Sequence, residues 1–227
     1  MFKVEIPGWC FDEKRDPSFR YDDEPHEYWL NKEQIYGFSA ITKAVGWVTP
    51  EEERRYTEES RYRGHYVHWC TRLDDEGDLH DPDVDYSYRG YLEGYRAFRR
   101  DYNFKPRLIE VPLYNPLLRY GVTPDREGLI LTGNPAIVEL KTGEVNWRTK
   151  YQTAAQDMGI AHWEEKPTYR RRFGVKLNVD GTYRVEEYKD FNDYDRWKCA
   201  VIAAQSNEGK TPAQKSHNNW AGIASSI

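Results

Sequence analysis

A mixed α/β fold, a central β-sheet of parallel and antiparallel strands flanked by helices, is what this sequence predicts. Short apolar runs with strand character cluster between about residues 107 and 141 and again between 169 and 188, where Asp180-Gly181 marks a turn. Helical patterns precede, separate and follow those runs. The order is helices, several strands, a helix, two strands and a helix, which is that of a layered α/β domain. The 227 residues suffice for one good core, and no low-complexity linker or internal repeat divides them.

In chain order, residues near 18–37 read as a β-hairpin, with Phe19-Arg-Tyr21 and Glu27-Tyr-Trp-Leu30 flanking polar turns. Ser39 to Val45 is a short helix ended by Gly46. Pro50 followed by Glu51-Glu-Glu53 marks a helix start with acids in its first turn, and that helical region is expected to reach about Asp75. Asp81-Pro-Asp-Val-Asp85 imitates a calcium loop, but Tyr86 stands at its sixth position and Leu92 at its twelfth, so it reads as a plain loop. Gly90 to Tyr102 is helical. Strands are expected near 107–114, 118–123, 128–132 and 136–141, then a helix from Trp147 to Trp163, strands near 169–178 and 182–188, and a last helix from Phe191 to Gln205. The single domain thus comprises an N-terminal hairpin and short helix (1–50), a core (51–205) and a loose tail (206–227).

The chain is 38% hydrophobic and 31% charged, with a mean hydropathy of −0.94. Its 18 Tyr and 8 Trp are too many for a disordered chain. No apolar run approaches the roughly 20 residues of a membrane span, and no basic-then-apolar leader opens the chain, so a cytoplasmic protein without a membrane partner is expected. Cys10, Cys70 and Cys199 form no CxxC pair, which argues against cysteine-built metal sites and reads as buried free thiols. A net charge of −5 counts mildly against a nucleic-acid partner. Charge distribution matters more than the sum, however, and local basic clusters exist: Arg54-Arg55, Arg61 with Arg63, Arg99-Arg100, Arg148 with Lys150, and Arg170-Arg171-Arg172.

The chemistry is concentrated in Val122-Thr-Pro-Asp125-Arg126 and Ile137-Val-Glu139-Leu-Lys141. Side chains alternate faces along a strand, so Glu139 and Lys141 project to one side, roughly 7 Å apart, and Val138 and Leu140 to the other. Asp125 is available from a preceding segment. Two carboxylates hold a hard divalent cation such as Mg²⁺. A lysine beside it can orient or deprotonate a water, or neutralise developing phosphate charge, and these are the parts of metal-assisted phosphodiester hydrolysis.

Other pieces stand in order around this pair. Arg61-Tyr-Arg-Gly64-His-Tyr-Val-His68 places Gly64 and His68 on one helical face. Ile109-Glu110-Val-Pro112 precedes the core pair, and Gln152-Thr-Ala-Ala-Gln156 follows it. Together with Pro124-Asp125 and Glu139-Leu140-Lys141, these residues resemble the PD-(D/E)xK nuclease superfamily, in particular its RecB-like and phage-type exonuclease branch. The likeness runs from about His26 to the last helix. It departs from the family pattern at Gln156, where QxxxY has tyrosine.

The resemblance implies a restriction-endonuclease-like core and an Mg²⁺- or Mn²⁺-dependent deoxyribonuclease. Asp125, Glu139, Lys141 and Gln152 are its expected catalytic residues. His68, Asp125, Glu139 and the Leu140 backbone carbonyl are its expected metal ligands. Glu110 is expected to hold a metal water or orient Lys141. Gly64 is expected to let its helix approach the sheet closely, as are Ala154, Ala155 and Gly159 in the later helix. Arg61, Arg63, Arg126, Arg148, Lys150 and Tyr151 are candidates for contact with DNA, and Trp147 for stacking on a frayed base. The implied activity is exonucleolytic digestion of linear duplex or single-stranded ends to 5′-phosphate products in phage or bacterial recombination. A strand-annealing protein is the implied partner. The competing readings are a sequence- or structure-specific endonuclease on the same fold, and a binding module without catalysis.

Overall fold

The computed structural model describes residues 16–206 except 24, 132 and 165–167. The tail expectation beyond residue 206 and Cys10 lie outside them. The fold is mixed α/β, and its strands form two sheets of five rather than a single central one. The first sheet takes β1 (Phe19–Asp22), β2 (Glu27–Leu30), β3 (Glu33–Gly37), β6 (Tyr120–Val122) and β5 (Leu113–Asn115), in that order. The second takes β10 (Tyr183–Tyr188), β9 (Arg171–Leu177), β8 (Asn134–Lys141), β7 (Arg126–Ile130) and β4 (Lys105–Ile109). Each sheet has one parallel pair, β3 with β6 and β8 with β9, and its other pairs are antiparallel.

Two crossings join the sheets. The strand expected over 107–114 breaks at Glu110–Pro112, because Glu110 sits in the left-handed region (φ 51°) and Pro112 has no N–H to give a ladder. The chain leaves the second sheet there and returns to it through Thr123-Pro124-Asp125. A backbone bond from Glu110 N–H to the Asp125 carbonyl (3.2 Å) clasps the two crossings together.

The helix expected from Pro50 to Asp75 is two helices. In α2 (Pro50–Arg54), Thr49 and Glu52 form a reciprocal capping box. Thr57 then caps α3 (Glu58–Glu76) by accepting from the Ser60 N–H, and Gly77, at φ 79°, closes it. The other helices are α1 (Phe38–Ala44), α4 (Arg89–Asp101), α5 (Thr149–His162) and α6 (Asn192–Gln205). Two short 3₁₀ turns, Asp81–Asp83 and Tyr86–Tyr88, occupy the predicted loop.

Each sheet has its own apolar core. Phe19, Tyr28, Ile41, Leu113, Tyr120 and Trp197 pack among the first sheet, α1, α5 and α6. Val67, Tyr95, Phe98, Val138, Leu140 and Phe173 pack among the second sheet, α3 and α4. Helix α5 touches strands of both sheets. It comes close because Gly159 lacks a side chain: a Cβ there would stand 2.7 Å from Val122 Cγ2. Gly64 is different. A Cβ on it would meet nothing within 4 Å, so the expected close approach of α3 at that position is overturned.

Candidate active site at the seam between the sheets

The predicted residues come from four places in the fold. His68 lies on α3, Asp125 on the return crossing, Glu139 and Lys141 at the end of β8, and Gln152 on α5. Alternation along β8 sends Val138 and Leu140 into the core beneath α3 and α4, as the strand pattern requires. The other face carries Glu139 and Lys141 toward α5, where Lys141 Nζ donates to Glu139 Oε1 (2.7 Å) and to Gln152 Oε1 (3.2 Å).

Asp125 is the hub. Its Oδ2 accepts from the Leu140 backbone N–H (2.8 Å), and its Oδ1 is 3.5 Å from His68 Nδ1. The same imidazole nitrogen is 3.6 Å from Glu110 Oε1. Leu140 therefore touches Asp125 through its N–H, whereas the resemblance implied a role for its carbonyl. Glu110 stands at the first crossing, and its left-handed backbone turns it out of the ladder into this site.

Burial is the main cause that raises the Asp125 carboxyl, and the neighbouring Glu139 adds to it. His68 and Lys141 oppose the rise, and the group ends at about 7. Burial disfavours the charged form of Lys141, but Glu139 and Asp125 outweigh it and hold the ammonium above its ordinary value. His68 follows the same logic: burial pushes it down, and Asp125 and Glu110 more than restore it.

Among the described residues, no group of three or more His, Cys, Asp and Glu stands in an arrangement that could hold a metal ion. The donor chemistry nevertheless fits a hard divalent cation. The His68 imidazole lies beside the Asp125 and Glu110 carboxylates, with Glu139 as a near neighbour, and these are donor types that a hard divalent cation takes.

Several expected DNA contacts are corrected. Arg126 is 0% exposed, and Nε pairs with Asp75 (2.6 Å), Nη2 donates to Thr71 Oγ1 (3.0 Å), and Nη1 donates to the Asp125 carbonyl (2.6 Å) and lies 3.3 Å from Glu110. It is an internal strut that no phosphate reaches. Arg148 is buried, tying the start of α5 to the Trp47 carbonyl (2.9 Å) and to Glu52 (3.1 Å). Tyr151 is packed against the Trp47 and Trp147 rings, with centroids 4.7 and 5.7 Å away. Arg170 and Arg172 are fully buried and paired with acids, and only Arg171 of that run is partly exposed. Arg61 is exposed, Arg63 and Lys150 are half-buried, and Trp147 keeps half of its surface in solvent. Cys70 is buried as expected, but Cys199 is exposed.

One contact escaped the sequence. The Tyr28 hydroxyl reaches across from the first sheet to Thr123 (2.8 Å), beside Pro124-Asp125.

The chain matches no family model and no curated protein. Among solved structures it is similar to the crystal structure of LHK-Exo in complex with dAMP. That likeness has 16% identity and a TM-score of 0.37 and covers 76% of this chain and 87% of that one. No helix among the described residues is long and apolar enough to cross a membrane.

Proposed function

We propose that this chain is a metal-dependent deoxyribonuclease that hydrolyses phosphodiester bonds at DNA ends and leaves 5′-phosphate products. The observation that carries the proposal is the convergence of Asp125, Glu139, Lys141, His68 and Gln152, from four separate elements, on one partly buried site at the seam. A surface ion pair would not need five such groups from four elements.

Mg²⁺ or Mn²⁺, bound by Asp125 and Glu139 with the His68 imidazole, would supply Lewis-acid charge to the scissile phosphate. The rest falls to this chain's own groups. Lys141, held by Glu139 and Gln152, orients the attacking water and offsets phosphate charge. Gln152 holds that ammonium in place through its side-chain oxygen. Arg126 keeps Glu110 and the Asp125 backbone where α3 needs them.

The test is a time course on end-labelled linear duplex and on closed circular DNA with Mg²⁺ or Mn²⁺, comparing wild type with Lys141→Ala. The expected outcome is digestion of the linear form alone, and a loss of at least about 100-fold in Lys141→Ala with its fold retained. Cutting of closed circles would make the protein an endonuclease. Binding of DNA in Mg²⁺ without any cleavage would make it a binding module.

A further inference from the structure

Gln156 follows Gln152 by one helical turn, and both face β8. The two glutamines stand about 6 Å apart along α5, and Glu139 and Lys141 stand about 6.6 Å apart along β8. The repeats match, so helix and strand meet as a ladder of two rungs. Gln152 takes the lysine, and Gln156 Nε2 donates to Glu139 Oε2 (2.7 Å). The Glu139 carboxylate, 2% exposed, thus has a donor on each oxygen: Lys141 on Oε1 and Gln156 on Oε2.

We propose that Gln156 is a positioning residue that fixes the direction of the Glu139 carboxylate in the active site. Gln156 is 1% exposed, and its Oε1 is buried with no hydrogen-bond partner among the described residues. Leaving such an oxygen unpaired is unfavourable, because it has given up its water and gained no donor in return. Turning the amide over would not relieve it, because the oxygen would then face a carboxylate that only accepts. The amide is held one way round by Glu139, at the expense of its own other end. Packing alone would be served better by Met or Leu at this position. The assignment rests on the nuclease reading only in what the positioned carboxylate is for.

Two measurements test it. In metal-free protein, the Gln156 side-chain amide protons are read by ¹⁵N-edited NMR. One is expected downfield and slow to exchange in wild type, and free-amide-like in Glu139→Ala. Free-amide behaviour in wild type would overturn the proposal whatever the protein does with metals. Calorimetry with Mn²⁺ then compares wild type with Gln156→Met, which keeps the size and loses the donor, and with Gln156→Glu, which replaces the donor by an acceptor. Both are expected to weaken Mn²⁺ binding by about 10-fold or more at pH 8. The melting temperature of metal-free Gln156→Met should fall, because removing the unpaired amide oxygen also leaves the buried Glu139 Oε2 without its donor. Affinity within twofold of wild type in either folded variant would overturn the role. A wild type that binds no Mn²⁺ would end the metal-nuclease reading, and the amide spectrum would still decide the contact.

Discussion

Asp125 shows how one side chain reports on the site around it. Its carboxyl, raised from 3.8 to about 7, keeps a proton in the folded chain that it gives up in the unfolded one. Folding therefore takes up a proton between those values, and the stability of the metal-free protein falls as pH rises through that window. His68, also raised, acts in the same direction: its contribution is complete below its unfolded value of 6.5 and lost as pH climbs through its folded value. Asp125→Asn, which can still accept from Leu140 N–H, should raise the metal-free melting temperature at pH 8 and change it little below the unfolded carboxyl value of 3.8. The expected gain at pH 8 is on the order of 4 kcal/mol, about 8–16 °C, checked by paired thermal melts. Arg126 sits behind that carboxyl. Arg126→Met removes one partner of buried Asp75, which keeps Arg99 (2.8 Å) and Tyr95 (2.7 Å), and should cost about 1.5–3 kcal/mol by denaturant titration, more than loss of a surface DNA contact would. An unchanged midpoint would return Arg126 to the list of substrate contacts.

Two glycines on two helices separate close approach from open space. Gly159 faces Val122 at a distance no Cβ tolerates, so Gly159→Val should overpack α5 against β6 at a cost of about 1–3 kcal/mol. Because α5 also presents Gln152 and Gln156, that variant should lose catalysis along with stability. Gly64 has nothing near it, so Gly64→Ala should gain about 0.5–1 kcal/mol from helix propensity alone. Thermal melts of the pair check both signs, and a destabilised Gly64→Ala would restore the close contact expected from the motif. The element boundaries carry the same lesson. Thr49-x-x-Glu52 and Thr57 are legible as two helix starts, yet the acids from Glu51 to Glu59 read equally well as one solvated helix. At Glu110, by contrast, the letters gave no warning of a left-handed residue, because the clasp to Asp125 that imposes it joins segments 15 positions apart.

For the whole molecule, the site is a joint between two sheets, built from the two crossings, the end of β8 and the faces of α3 and α5. A cation held there binds the folded chain and not the unfolded one. Mg²⁺ or Mn²⁺ at about 100 times its dissociation constant should therefore add about 2.7 kcal/mol, roughly 5–10 °C in melting temperature, reversed by chelator. The shift should vanish in Asp125→Asn and Glu139→Gln, whereas a shift of equal size in those variants would place the cation elsewhere. Two basic side chains that read as DNA contacts, Arg126 and Arg148, are spent on internal ion pairs, as are Arg170 and Arg172 of the local basic cluster. The surface thus carries fewer of them than the sequence implied, in keeping with the net charge of −5.

The sequence by itself determined the α/β class, most of the elements, and the alternation that sets Glu139 and Lys141 on one face of a strand. These follow from local periodicity and turn chemistry, which neighbouring residues settle among themselves. Only the tertiary structure decided that the strands divide into two sheets, that His68 meets Asp125 and Glu110 at the seam, that Gln156 holds Glu139, and that Arg126 and Arg148 are buried. Each of those depends on contacts between segments far apart in the chain. There a partner's position fixes whether a charge is exposed, paired or raised, and the spacing of letters carries no record of it.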